Sequence, residues 1–334
     1  MKAIDVDFVF SEEENAKLTT TLNQINISPY TDYGNFRVCV NEIIKSNQHI
    51  LNGFSNLCFH KKKVNQYEDP YVFLKNCPVD PSLPFLDFEN PVEDKRNRKK
   101  TYVAEAFLEL YAQIMGQEPI SYINVNDGDI FQDIHPMKKL IDSQSQKASK
   151  TIYFHKDLAN HFVRPDWVNI LGLRASKENE IYTSFVRNKD LLNYLDDDLH
   201  AVLREPVFFT PYDDLTLSSS NKKLGHAPNH PILGVVESYD IRFFENRTEG
   251  VTDQAKEAVE EIIKALHALK QNLHILKGDF IGSANNECLH NKEVIRIGDE
   301  AAVNNRWLMK TVNVKYLDLH KAHMCEGEIR IVNG

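Results

Sequence analysis

The stretch 151-TIYFHKDLANHFVRPDWVNILGLRASKENEIYTSFVR-187 decides the fold. It reads as three short strands, Thr151–His155, Trp167–Leu173 and Ile181–Arg187, with turn chemistry between them and no helical periodicity. Working back, Ser121–Val125 and Ile130–Ile134 flank Asn126–Asp129, whose Asp-Gly step signals a hairpin. Working forward, short strands follow at Val207–Thr210, Ile232–Val236, Asp240–Phe244, Asp279–Ile281 and Arg306–Val314. A doubly wound α/β fold needs regular strand–helix alternation, which residues 119–187 lack. The pattern instead predicts a mainly β chain with flanking helices, a β-sandwich or jelly roll.

The helices lie outside that core. Ser11 and Glu14 form a capping box that opens a helix running to about Asn23. Spacing predicts a second helix over Phe36–Asn52 with Gly53 as its stop, and a third over Tyr102–Met115 stopped by Gly116. A fourth covers Asp253–Asn272, with Ala258, Ile262, Leu266 and Leu269 on one stripe. We expect one domain over residues 1–334, with a largely helical part at 1–118 and a β core at 119–316. Residues 78–100 hold four prolines and the run Lys95, Arg96, Arg98, Lys99, Lys100, which reads as a solvated surface. Residues 211–231 are rich in Ser, Asn, Pro and Gly between two strands, and read as a lid.

Composition removes several function classes. The chain has 39 basic and 48 acidic residues, a net charge of −9, and no long basic stripe, which argues against nucleic acid as a partner. No apolar run is long enough to span a membrane. The start MKAIDVDFVFSEEEN puts acids where a signal peptide needs basic and then apolar residues. Cys39, Cys58, Cys77, Cys288 and Cys325 are odd in number and scattered, so reduced thiols and a cytoplasmic location are expected. GxxxxGK[ST], GxGxxG and GxSxG are all missing, which leaves nucleotide-binding and serine-hydrolase readings without support. His320-x-x-His323-x-Cys325 and Cys288-x-His290 contain zinc-type ligands but lack the four-ligand spacing of a closed site.

Of 13 histidines, one has an acid two residues on, in His155-Lys156-Asp157. Composition alone predicts about two such coincidences, so placement matters more than the tripeptide. In an extended strand, residues i and i+2 face one side, so His155 and Asp157 point into one cavity. They make two of the three ligands of a facial two-histidine, one-carboxylate iron site. His290 is the candidate for the third.

Gly278-Asp279, Asn285, His290 and Arg306-Trp307-Leu308 follow in an order that is not anonymous. It resembles the clavaminate-synthase-like branch of Fe(II)/2-oxoglutarate dioxygenases, which includes hydroxylases of free amino acids. Gln132-Asp133-Ile134 with Pro136 resembles the family strand ahead of the first ligand, and the match covers roughly residues 100–315. The resemblance implies a double-stranded β-helix (a cupin-like jelly roll) with a lid. It implies that His155, Asp157 and His290 bind Fe(II), and that Arg306 pairs with the far carboxylate of 2-oxoglutarate. A guanidinium fork suits that carboxylate better than an ammonium. Thr183 or Ser184 lies where relatives carry a helping hydroxyl.

For the substrate, Asn126 or Asn124 lies where relatives hold an α-amino group, and Lys310 where an arginine grips an α-carboxylate. Asp240 and Glu245, with Asp213 and Asp214 on the lid, are acids suited to a cationic side chain. The chain departs from the family in carrying Asp157 where Glu is usual, and Asn291-Lys292 where Gly-Arg is frequent. The expected function is hydroxylation of a free basic L-amino acid, lysine at C4 foremost, with 2-oxoglutarate and O2 giving succinate and CO2. The alternatives are arginine or another small molecule as substrate, or a non-catalytic jelly-roll binding protein. A homo-oligomer is compatible with all of these.

Overall fold

The structure, a computed structural model, describes residues 2–138, 150–211, 227–234, 237 and 239–333. Most of the expected lid, including Asp213 and Asp214, lies outside the described residues.

Two sheets lie face to face. The larger has the strand order Ile331–Val332, Glu118–Tyr122, Trp307–Val314, Trp167–Arg174, Phe280–Ala284, Tyr71–Lys75, Phe8–Val9, with Gln132–Ile134 also paired to Trp307–Val314. The smaller has the order Lys2–Ala3, Gln271–Leu273, Glu180–Arg187, Cys288–Arg296, Ile152–His155. Pairing is antiparallel except at the margins, where three two-residue strands pair parallel. This is the open jelly roll that the strand-rich middle of the chain predicts.

Alternation along each strand sorts side chains into layers. Phe185, Leu273 and Cys288 of the smaller sheet face Ile120, Ile170, Ile281 and Leu308 of the larger one. On the outer side of the larger sheet, Leu171, Phe280, Trp307 and Met309 pack on Phe36, Leu51, Phe54 and Phe107 of the N-terminal helices. On the outer side of the smaller sheet, Phe154, Val186 and Leu289 pack on Ala258, Ile262 and Leu266 of the helix Asp253–Leu269. Any residue's place in this four-layer stack therefore follows from its parity with these neighbours.

The capping box at Ser11 and the left-handed Gly116 (φ 70°) after Val103–Met115 form as the sequence predicts. Other expectations need correction. The helix expected over Phe36–Asn52 is two helices, Tyr33–Ser46 and Gln48–Lys63, broken at Asn47. Asn47 closes the first by bonding the Ile43 carbonyl with both its backbone N–H and its side chain. Gly53 lies inside the second, and its missing side chain admits the Phe8 ring rather than ending a helix.

The hairpin expected around Asn126–Asp129 does not form. Glu118–Tyr122 and Gln132–Ile134 run one after the other along Trp307–Val314, with Ile120 opposite Val312 and Ile134 opposite Leu308. Asn126, Asp127 and Gly128 all have positive φ (48°, 54° and 81°), which makes a bulging loop rather than a two-residue reversal. The basic run is not a solvated face either. Pro91–Arg98 is helical, and Lys95 and Lys99, four apart, both point inward. Lys95 pairs with Asp129 and Asp133, and Lys99 with Asp80 and Glu105. A predominantly helical first third is also incomplete as a description, because Tyr71–Lys75 is a strand inside the larger sheet.

Candidate active site

The site begins with two adjacent strands of the smaller sheet. His290 on Cys288–Arg296 is the direct cross-strand partner of His155 on Ile152–His155, and their rings lie 4.5 Å apart. Phe244 stacks on the other side of His155, with 5.0 Å between centroids and 23° between planes. The His155 Nδ1–H donates to the Tyr153 carbonyl at 2.8 Å, which turns Nε2 to the cavity as an acceptor.

Asp157 completes the group. Its Oδ1 lies 3.3 Å from His155 Nε2 and 3.5 Å from His290 Nε2. One ligand atom from each of the three residues lies within 4.8 Å of the others, the only such cluster among the described residues. Asn285 holds the Asp157 backbone in place. Its Oδ1 accepts from the Asp157 N–H, and its Nδ2 donates to the carbonyls of Asp157 and Pro165. Burial alone would raise the Asp157 pKa, but the Lys310 ammonium and the two imidazoles outweigh it and hold the carboxyl well below the usual range. Burial, then the neighbouring imidazole, lowers His290. A carboxylate with neutral imidazoles is the protonation state a divalent metal requires.

The opposite sheet supplies cations. Lys310, on Trp307–Val314, donates to Asp157 Oδ2 at 3.0 Å, so one carboxylate oxygen is held by an ammonium while the other faces the imidazoles. Arg306 precedes that strand and shares the parity of Leu308 and Lys310, toward the space between the sheets. No carboxylate pairs with it among the described residues. Arg306 is half-buried, and that burial pushes its guanidinium down to about 10. An unpaired cation in such a place is incomplete without an anion.

Register separates the two candidate hydroxyls. Thr183 lies opposite Lys292 and shares the face of Phe185, the residue opposite His290. Ser184 faces the helical layer, where its hydroxyl lies 3.4 Å from Glu293. Thr183 therefore shares the cavity face and Ser184 does not.

The substrate candidates divide in the same way. Asn126 is buried in its left-handed turn, and neither Nδ2 nor Oδ1 has a hydrogen-bond partner among the described residues. Asn124 lies in the same loop, two residues before. Asp240 is buried and paired with both Lys156 and Arg164. Glu245 accepts from the Phe154 N–H and pairs with His267 at 2.6 Å. Phe154 belongs to the cluster under the helix Asp253–Leu269, so Glu245 sits behind the smaller sheet rather than in front of it. Sequence reading missed Phe244 and the strand Cys288–Arg296. The strand's signal was the alternation Cys288, His290, Lys292.

No family model matches the chain. It is 27% identical over 247 residues to an L-asparagine oxygenase of Streptomyces coelicolor, covering 73% of this chain and 70% of the relative. It is 27% identical over 223 residues to clavaminate synthase 2 of Streptomyces clavuligerus (64% and 65% covered). It is 24% identical over 228 residues to an L-lysine 3-hydroxylase of Catenulispora acidiphila (67% and 62% covered). The match thus spans less than two thirds of the length of the last two relatives. Among solved structures, an asparagine oxygenase in complex with Fe(II), 3-hydroxyasparagine and succinate superposes with a TM-score of 0.78 at 19% identity, over 98% of this chain and 99% of that one. The non-heme iron oxygenase OrfP, in complex with Fe, succinate and (3S)-hydroxy-L-Arg, gives 0.77 at 17% identity, over 97% and 99%.

The chain thus has the jelly-roll fold of these oxygenases and a His-Asp-His cluster that could hold a metal ion, and its sequence is similar to an L-asparagine oxygenase and to clavaminate synthase 2. Two of these relatives are an oxygenase and a hydroxylase of amino acids.

Proposed function

We propose that this enzyme hydroxylates a free L-amino acid at an unactivated methylene, with 2-oxoglutarate and O2 converted to succinate and CO2, and that L-lysine at C4 is the reaction to test first. One observation carries the proposal. The triad His155, Asp157 and His290 lies on one sheet, and the half-buried Arg306 on the other has no carboxylate partner among the described residues. The residues fit the groups that the class uses. His155, Asp157 and His290 would hold the iron, and three protein ligands would leave room on it for the keto acid and O2. Iron with 2-oxoglutarate and O2, when bound, supplies the oxidation of the C–H bond.

The remaining work belongs to side chains. Arg306 and Thr183 hold the far carboxylate of the co-substrate, the guanidinium with two parallel N–H groups and the threonine with its hydroxyl. Lys310 offers an ammonium to the substrate α-carboxylate, and Asn126 offers its unspent amide to the α-amino group. Clamping both α-substituents fixes which methylene faces the metal, and a displacement of about 1 Å there costs about 100-fold in rate. Lysine as substrate is supported by the lysine 3-hydroxylase relative and by Asp213 and Asp214. It is not supported by Asp240, whose charge is already met by Lys156 and Arg164, or by Glu245, whose oxygens are taken by the Phe154 N–H and the His267 ring.

A metal-free binding protein is the competing reading. Anaerobic addition of Fe(II) and then 2-oxoglutarate is expected to produce a visible charge-transfer band, and a folded protein without one defeats the proposal. A panel of free amino acids, scored by succinate release and a one-oxygen mass shift, then names the substrate. If none responds, the free-amino-acid reading fails while the class stands.

A further inference from the structure

We propose that Lys292 is a second cation for the far carboxylate of 2-oxoglutarate, so that the co-substrate's tail is held between Arg306, Lys292 and Thr183. The inference rests on the reading of the cavity as a 2-oxoglutarate site. Three placements point to it. First, Cys288, His290 and Lys292 alternate along one strand; Cys288 packs in the core between the sheets, His290 reaches the metal ligands, and Lys292 is the next residue on the same face. Two strand residues are about 7 Å, a distance comparable with a five-carbon dicarboxylate chelating at one end. Secondly, Lys292 lies directly opposite Thr183, the hydroxyl that register places on the cavity face. Thirdly, Lys292 is 9% exposed and feels the charge of Arg306, which comes from the opposite sheet and has no acid beside it among the described residues.

Two neighbouring cations repel, and an anion between them converts that repulsion into attraction to both. A guanidinium fork gives the carboxylate two donors, an ammonium a third and a hydroxyl a fourth, which matches its lone-pair sites. The departure from Gly-Arg after the distal histidine thus has a use. The Asn291 Oδ1 accepts from the Ser184 N–H, tying this strand to its neighbour, while the lysine beside it faces inward. The arrangement selects a dianionic keto acid over a monoanionic one.

The test compares 2-oxoglutarate with 2-oxobutyrate, which keeps the chelating keto acid and lacks the second carboxylate. Each is titrated anaerobically into the Fe(II)-loaded protein and read by the charge-transfer band, with no turnover involved. Lys292→Met is expected to weaken 2-oxoglutarate about 10- to 100-fold, the loss that follows from removing a charged hydrogen bond. It is expected to leave 2-oxobutyrate binding unchanged, and Lys292→Arg is expected to restore most of the affinity. Unaltered 2-oxoglutarate binding in Lys292→Met overturns the proposal, as does an equal loss for both keto acids, which marks a structural role. If the parent protein gives no band with 2-oxoglutarate, the reading of the cavity falls and this proposal falls with it.

Discussion

At the scale of single residues, parity decides which neighbours do chemistry. Thr183 and Ser184 are adjacent in the chain, yet one faces Lys292 and the cavity and the other faces Glu293 and the helices. Thr183→Val, which removes the hydroxyl and keeps the shape, is expected to weaken 2-oxoglutarate about tenfold, in line with a hydrogen bond to a charged group. Ser184→Ala is expected to leave that affinity as it was, and equal effects from both would refute the assignment. Calorimetric titration of the metal-loaded protein makes the comparison. The candidate metal ligands were legible in the sequence because His155-Lys156-Asp157 and His290 sit in a motif order. The fates of Asp240 and Glu245 were not. Lys156 is 84 residues from Asp240 and Glu245 is 91 from Phe154, and no local pattern announces such partners. Asn285 lies between these cases. It appears in the motif order, but only the structure shows that it clamps the Asp157 backbone from both sides.

At the scale of elements, the helix Pro91–Arg98 shows how charge can mislead. Its sequence reads as a surface, and its composition would suit one. Two of its flank's five cations nonetheless face inward, where Asp80, Asp129, Asp133 and Glu105 await them. Lys95 also lies over the Tyr30 ring, 4.1 Å from its centroid. Removing one partner of a buried ion pair leaves the other charges in low dielectric. Lys95→Met is therefore expected to cost about 3–5 kcal/mol, since Asp129 and Asp133 remain behind. Lys100→Met, at an exposed position, is expected to change stability by less than about 0.5 kcal/mol. Urea denaturation of the two variants distinguishes the buried network from a solvated run, and equal midpoints would return the run to the surface. Strong helices and alternating strands were legible because their signals are local, as at Ser11 and Gly116. Cys288–Arg296 was hidden because its polar, inward-facing His290 and Lys292 break the apolar alternation by which a half-buried strand is recognised.

At the scale of the whole molecule, the site joins two sheets whose facing sides pack mainly through apolar side chains. The ligands His155, Asp157 and His290 belong to the smaller sheet's side, while Arg306 and Lys310 stand on the larger. Only the Lys310–Asp157 pair spans these two groups directly, at 3.0 Å. A ligand that chelates metal on one sheet and meets Arg306 on the other adds a second link, so co-substrate binding is coupled to the docking of the sheets. Anything that binds the folded state alone stabilises it, by about 2.7 kcal/mol at 100 times Kd. Metal alone is expected to raise the melting temperature, and 2-oxoglutarate to raise it further under anaerobic conditions. In Arg306→Met the metal increment is expected to persist, because the triad is intact, while most of the 2-oxoglutarate increment disappears. In Asp157→Ala both increments are expected to vanish together, because the chelate has nothing to complete. Thermal unfolding of the three proteins with and without each ligand reads this out without any turnover. A 2-oxoglutarate increment that survives in Arg306→Met would place the dicarboxylate elsewhere and break the link between the sheets on which the proposed chemistry depends.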